Sequence, residues 1–126
     1  MRGLRMLDQE GYDLMAAAFE VYNQMGSGFL EDIYQECFEI ELKERGIPFV
    51  PQEQLEVFYK QKILQKKYKP DLLVFGDIIV ELKAACNLCG DHEAQLLNYL
   101  KATGKHVGYL INFGNTKKLE WKRMIL

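Results

Sequence analysis

Residues 70–83 read PDLLVFGDIIVELK, and this stretch decides the fold. It contains two runs rich in apolar, strand-favouring side chains, Asp71 to Phe75 and Ile78 to Lys83, on either side of Gly76-Asp77. A glycine-containing pair between two such runs indicates a two-residue turn, because glycine readily adopts the positive φ angles that a tight turn requires. The stretch therefore predicts a β-hairpin near the middle of the chain.

Three charged residues lie at the open end of this hairpin. Asp71 begins the first strand, while Glu81 and Lys83 end the second on one face, since strand side chains alternate. Charged groups in an apolar strand are costly unless they are paired or bind a metal ion. Two carboxylates suit Mg²⁺ or Mn²⁺, which can activate water against a phosphoryl group with help from a lysine. A salt bridge from Lys83 to either carboxylate is the simpler alternative, and these residues alone leave both open.

The chain before the hairpin predicts two helices and then extended segments. Apolar residues recur at helical spacing from Tyr12 to Met25 and from about Phe29 to Arg45, and Gly46 ends the second helix. The extended segments that follow are Phe49 to Glu53, Leu55 to Tyr59 and Lys62 to Lys69. Residues 49–59 fit either one bent strand or two strands.

The chain after the hairpin predicts one helix and two strands. The helix runs from about Asp91 to Thr103, and the strands are His106 to Phe113 and Leu119 to Leu126. A mixed sheet flanked by helices is an α+β architecture. A chain of 126 residues is long enough for one core and short for two, so we expect a single domain over residues 1–126.

Charge and hydropathy limit the classes of function. No apolar run approaches the roughly 18 residues that span a bilayer, and no signal peptide is visible, so a cytoplasmic protein without membrane contact is expected. The net charge of −2 argues against non-specific electrostatic binding of nucleic acid by the whole surface. The basic residues are nevertheless clustered. Each cluster fits a solvated surface as well as it fits a nucleic-acid contact. The clusters are Lys60, Lys62, Lys66, Lys67 and Lys69, and then Lys117, Lys118, Lys122 and Arg123.

Two further motifs flank the hairpin in chain order. Residues 28–34 read G-x-x-E-x-x-Y, and residues 95–99 read Q-x-x-x-Y. Together with P-D and E-L-K of the hairpin, this order resembles the PD-(D/E)xK nuclease superfamily, and within it the RecB-like branch and the GxxExxY family of small bacterial proteins. The resemblance covers about residues 26–125. It implies a restriction-endonuclease-like core, an α/β sandwich.

The resemblance also implies roles for seven residues. The metal ligands would be Asp71, Glu81, the backbone carbonyl of Leu82, and Glu31. Lys83 would be the catalytic lysine beside the three acids, and Gln95 and Tyr99 would contact the substrate. From the residues alone, Glu31 fits a surface glutamate favoured by the helix dipole equally well. The alternatives for Gln95 and Tyr99 are a surface glutamine and a core tyrosine with a hydrogen-bonded hydroxyl.

The implied activity is Mg²⁺- or Mn²⁺-dependent hydrolysis of phosphodiester bonds in nucleic acid, with DNA the expected substrate. The alternative is a catalytically silent nuclease fold that binds nucleic acid or protein. A homodimer would enlarge the substrate platform in either case, and its interface would use strand 106–113 or the C-terminal tail.

The cysteines suggest a third hypothesis, a thiol oxidoreductase. Cys86 and Cys89 form a C-x-x-C motif, but zinc and iron–sulfur sites normally need four ligands. Only Cys37 and His92 remain as further candidates, and Cys37 lies on an apolar helix stripe. We therefore expect free thiols, and we interpret His92 as a solvated or capping residue at the start of a helix.

Overall fold

The protein is built around a mixed five-stranded sheet, seen in a computed structural model that describes residues 7–126. The elements in chain order are helices α1 (Asp8–Met25) and α2 (Glu31–Glu44), strands β1 (Phe49–Pro51), β2 (Leu55–Tyr59), β3 (Lys62–Tyr68), β4 (Leu72–Val74) and β5 (Ile78–Lys83), helix α3 (Gly90–Thr103), and strands β6 (Val107–Asn112) and β7 (Glu120–Ile125). The strand order in the main sheet is β1-β4-β5-β6-β7, and β2 and β3 form a separate two-stranded hairpin. Strands β5 and β6 are parallel, and the other neighbours are antiparallel. The expected α+β class is confirmed.

Helices cover both faces of the main sheet. Helices α1 and α2 pack on one face, where Leu14 and Phe38 join Val80 and Leu82 in one buried cluster. Helix α3 covers the other face, where Leu96 and Leu100 pack against Leu73, Ile79 and Leu110. Burying each such aliphatic side chain contributes about 1.5–3 kcal/mol relative to exposure. Side chains along a strand alternate between its two faces. Glu81 and Lys83 therefore lie on the α3 face, with Ile79.

The predicted elements are found with small shifts at their ends. The first helix begins at Asp8, one turn before the predicted Tyr12. Residues 49–59 form two strands rather than one bent strand, and the two strands belong to different sheets. The break falls at Gln52, whose φ of +52° turns the chain away from the main sheet. The first six residues of the expected domain, 1–126, lie outside the described part of the chain.

The turn of the central hairpin differs from the predicted two-residue turn. Val74 pairs with Ile78, so three residues connect the strands, and Phe75 and Gly76 both have positive φ angles, +55° and +75°. The prediction missed that an aromatic residue takes a left-handed conformation here. A one-residue change in register exchanges the faces of a strand, so this difference decides which side chains meet at the open end.

Strand β6 lies inside the sheet, between β5 and β7, and all six of its residues are buried. The expectation that strand 106–113 provides a dimer interface is therefore wrong, because both of its edges and both of its faces are already covered. In the part of the chain that the structure describes, no helix is long and apolar enough to cross a membrane.

A fully buried asparagine fixes the chain that leaves β5. Asn112 donates from Nδ2 to the Ala85 carbonyl at 2.8 Å and to Glu120 Oε1 at 3.0 Å. Its Oδ1 accepts from the Ala85 N–H at 2.9 Å and the Gly114 N–H at 3.1 Å. The amide thus uses its full capacity of two donors and two acceptors. The segment that follows Lys83 is held against the end of β6.

Candidate active site

Two carboxylates face each other at the open end of the central hairpin. The β4–β5 register pairs Leu72 with Val80, and one step further it brings Asp71 opposite Glu81. The Asp71 N–H donates to Glu81 Oε1 at 3.0 Å, and the Leu82 N–H donates to Asp71 Oδ2 at 2.7 Å. Each acid is therefore held by the backbone of the opposite strand, in hydrogen bonds that a charged acceptor strengthens.

The protein environment opposes the charge on both acids. Burial raises the pKa of Asp71 above its ordinary value, and the nearby Glu31 carboxylate raises it further. Burial likewise raises the pKa of Glu81, with a further contribution from the Asp71 carboxylate. Two half-buried acids of raised pKa that repel each other are a common feature of functional sites, and a cation between them would relieve the cost.

Lys83 lies on the same face as Glu81 and is half-buried. Its ammonium lowers the pKa of both acids. Within residues 7–126, however, its nitrogen forms no ion pair with either carboxylate at 4.0 Å or less. A direct salt bridge, the simpler explanation of this cluster, is therefore not formed.

Tyr68 is a site residue that the sequence analysis missed. It ends β3, is 7% exposed, and donates from its hydroxyl to Glu81 Oε2 at 2.8 Å. Burial, and then the Glu81 carboxylate, raise the pKa of this phenol, so the hydroxyl remains a donor. Tyr99 of α3 stacks on the Tyr68 ring with centroids 3.8 Å apart and planes 6° from parallel. Tyr99 therefore packs on the ring whose hydroxyl contacts Glu81.

Gln35 of α2 is a second residue that was missed. Its Nε2 donates to the Asp71 carbonyl at 2.8 Å and to Glu39 Oε2 at 3.0 Å, which ties the helix to the start of β4. Gln35 lies four residues after Glu31, one helical turn away, and this spacing was the available signal. Glu31 itself is exposed, and it reaches the site through its charge on Asp71.

The tyrosine of G-x-x-E-x-x-Y has a structural role. Tyr34 is fully buried, donates to the Gly26 carbonyl at 2.5 Å, and accepts from the Phe29 N–H at 3.3 Å. Its ring stacks on Phe113 at 4.7 Å. Tyr34 therefore fixes the α1–α2 turn, where Gly28 has a φ of +110°, and sets where Glu31 begins its helix.

The other predicted residues lie around the site or away from it. Gln95 is exposed on α3. His92 caps this helix, since its Nδ1 accepts from the Cys89 N–H at 3.3 Å, as its position suggested. Cys86 and Cys89 are exposed free thiols, and Cys37 packs beside the core of α1 and α2.

The donor set fits a hard divalent cation that keeps part of its water shell. Within residues 7–126, no three Asp, Glu, His or Cys side chains converge as a ready-made cage. Magnesium sites commonly use only one or two carboxylates, with water and substrate phosphate completing the shell. Asp71 and Glu81 supply these carboxylates. The Leu82 carbonyl can join them, because a strand residue turns its C=O to the same side as its N–H, here the side of Asp71.

Comparisons with known proteins bear on the family and the fold. Residues 8–124 match a sequence profile described as the PD-(D/E)XK nuclease superfamily. A solved structure titled "Crystal structure of SSO0001" is similar, with a TM-score of 0.58 and 20% sequence identity over 75% of this chain. The chain spans 48% of the length of that structure. No curated protein matches the sequence. The expected restriction-endonuclease-like core is confirmed.

Proposed function

The chain belongs to the PD-(D/E)XK nuclease superfamily, and we propose that it is a metal-dependent nuclease that hydrolyses phosphodiester bonds, with DNA as the expected substrate. Its placement in the RecB-like branch and the GxxExxY family is part of the same proposal. The observation that carries it is the reciprocal anchoring of Asp71 and Glu81, two half-buried acids that repel each other beside Lys83.

In this proposal Asp71, Glu81 and the Leu82 carbonyl hold Mg²⁺ or Mn²⁺, and Glu31, whose charge raises the pKa of Asp71, is a further ligand. The bound ion would polarise a phosphoryl oxygen and lower the pKa of the attacking water. The backbone N–H groups of Asp71 and Leu82 keep the acids in place, so little reorganisation is needed when the ion and the substrate arrive.

The remaining groups act on water and substrate. The Lys83 ammonium forms no ion pair with either acid at 4.0 Å or less, so it is available to orient the attacking water and to offset negative charge that develops on the phosphoryl group. Gln95 is exposed on α3 and would contact the substrate directly. Tyr99 would border the substrate while it holds Tyr68 in place.

Cleavage assays test the proposal. Circular and linear DNA, single- and double-stranded, and RNA are incubated with the protein in Mg²⁺, Mn²⁺ or chelator. We expect cleavage of DNA that requires the metal and is lost in each of Asp71→Ala, Glu81→Ala and Lys83→Ala. Glu36→Ala, which removes an exposed acid elsewhere on α2, should cleave like the wild type. Cleavage absent under every condition, or retained in all three site variants, would contradict the proposal. DNA binding without cleavage would instead favour the silent fold.

Tyr68→Phe is expected to lower the cleavage rate about 10- to 100-fold, the usual effect of removing a group that orients a metal ligand. The ring still stacks on Tyr99, but Glu81 loses its hydroxyl partner. A positioning role predicts a higher Mg²⁺ requirement with an unchanged KM for DNA. Tyr12→Phe, on a tyrosine that is 73% exposed, is the matched control. An unchanged Mg²⁺ titration in Tyr68→Phe would show that the hydroxyl is dispensable.

A further inference from the structure

The β2–β3 hairpin stands apart from the main sheet. Among the strands of residues 7–126, β2 and β3 pair only with each other, and every residue of β3 except Tyr68 is exposed. On its inner side Leu55 and Val57 pack beside the α3 cluster, which attaches its base to the domain. A ribbon this exposed contributes little to the core, so its residues are free to serve a surface function.

Charge is distributed unevenly between this ribbon and the rest of the chain. Residues 55–69 contain five lysines and one glutamate, a formal charge of +4. The net charge of the chain is −2, so all the other residues together carry −6. All five lysines are exposed. Nζ of one of them, Lys67, lies 3.8 Å from Glu56 Oε2. The hairpin is therefore a positive projection on an otherwise acidic protein, and it attracts polyanions where most of the surface repels them.

The base of the hairpin is part of the candidate active site. Strand β3 ends at Tyr68, which donates to Glu81, and Lys69 and Pro70 lead directly to Asp71. At about 3.4 Å per residue, the five residues of β2 give an arm about 17 Å long. A molecule that lies along the lysines therefore has its inner end close to the two acids.

The tip carries an aromatic side chain and a strained turn. Tyr59 is 63% exposed, and the Lys60 ammonium lies 5.5 Å from the centroid of its ring. Lys60 and Gln61 both have positive φ, +49° and +65°, the conformation of a two-residue hairpin turn that glycine or asparagine normally occupies. The turn thus places a cation and an aromatic ring at the extremity of the arm.

We propose that the β2–β3 hairpin is the arm by which this protein holds duplex DNA, with its lysines on the phosphate backbone. The inference rests on the proposed nuclease function, since the arm would hold the DNA that the candidate active site cleaves. The major groove of DNA admits a two-stranded β-ribbon, and lysines spaced along such a ribbon can reach the flanking phosphates. Two identical arms of charge +4 repel each other, which disfavours contact between the arms of two copies.

The test compares two triple variants that remove the same charge. Lys60→Gln/Lys62→Gln/Lys66→Gln alters the arm, and Lys117→Gln/Lys118→Gln/Lys122→Gln alters exposed lysines near the C-terminus. Binding of a labelled 30-base-pair duplex is measured in chelator across a salt series. We expect the arm variant to bind about tenfold more weakly or worse, and the slope of log K against log salt to fall by about 2–3. The C-terminal variant should lose clearly less, and the triple Lys→Arg arm variant should bind like the wild type.

Two further measurements separate this proposal from the nuclease proposal. Hydrolysis of bis(4-nitrophenyl) phosphate, which is too small to reach the arm, should be unchanged in the arm variant, while the KM for duplex DNA rises. Failure of the wild type to hydrolyse any phosphodiester contradicts the nuclease proposal. Equal DNA binding by the two triple variants, or no DNA binding by the wild type, contradicts the arm. Light scattering that shows a dimer in the wild type and a monomer in the arm variant would assign the arm to contact between copies, against the proposal.

Discussion

Glu81→Gln is expected to lower the rate of DNA cleavage by about 10²- to 10³-fold or more, the scale on which removal of one electrostatic contact to a reacting group acts. It is expected at the same time to leave the metal-free protein as stable as the wild type or more stable. Glutamine keeps an oxygen that can accept from the Asp71 N–H, and its amide nitrogen can donate to the Tyr68 hydroxyl oxygen in place of the bond that Tyr68 donates to Glu81. It removes a charge that the folded protein disfavours.

The direction of the stability effect follows from the pKa. Burial raises the pKa of Glu81 in the folded protein, so ionisation at neutral pH costs more in the folded than in the unfolded chain. That cost is absent at acidic pH, below the unfolded pKa, and is present above the folded one. A neutral amide removes it. A bound divalent cation also removes it, so Mg²⁺ should raise the melting temperature of the wild type and have little effect on Glu81→Gln.

Thermal unfolding at pH 7 with Mg²⁺ and with chelator, beside single-turnover cleavage, measures both effects. Glu36→Gln is the matched control, since it removes an exposed acid, and it should cleave and respond to Mg²⁺ as the wild type does. If Glu81→Gln melts well below the wild type in chelator, the acid stabilises the fold, and the metal-site interpretation loses its physical basis.

Gly114→Ala is expected to destabilise the protein by about 1–3 kcal/mol or more, the cost of forcing extra volume into a packed site. A methyl group at Gly114 would lie 2.4 Å from the Ala85 oxygen, 2.5 Å from the Ala84 carbonyl carbon and 2.6 Å from the Ala85 nitrogen. All three atoms are backbone, so no side chain can rotate away. The same movement would break the contacts of Asn112 with Ala85.

Thermal unfolding measures this effect, with an expected fall in melting temperature of about 5–15 °C for a domain of this size. Gly90→Ala is the control, because a methyl group there meets no atom of residues 7–126 within 4 Å and the residue begins α3. Alanine favours the helix, so this variant should be neutral or slightly stabilising. A Gly114→Ala protein that melts like the wild type would mean that the chain after β5 is loosely held.

The sequence allowed the hairpin and the pair of acids to be predicted because their signals are local. Alternation and a glycine turn define a hairpin within 14 residues, and charged residues at the end of an apolar strand are conspicuous. The turn length could not be predicted, since Phe75 adopts a positive φ that aromatic residues seldom take. The prediction that the acids lie at the open end of the hairpin holds for either turn length. The residue that lies opposite Asp71 on β5, however, depends on the turn length.

The supporting residues were missed because their roles depend on contacts between distant segments. Tyr68 looks like one aromatic residue in a lysine-rich strand until β3 is placed beside β5. Gln35 looks like a surface residue until α2 is placed against the start of β4. The motifs drew attention to Tyr34 and Tyr99, but could not show that one fixes a turn and the other stacks on Tyr68.

The three-residue turn at Phe75–Asp77 lies at the far end of the hairpin from the acids, yet it sets their pairing. Surface turns usually tolerate insertions and deletions, because a change in their length leaves the elements they join in place. This turn is different. Loss or gain of one residue would slide β4 along β5 by one position, turn Asp71 toward the opposite face from Glu81, and exchange the core clusters in which Leu72 and Leu73 pack. The length of a remote loop is thus as strict a requirement for this site as the identity of its acids.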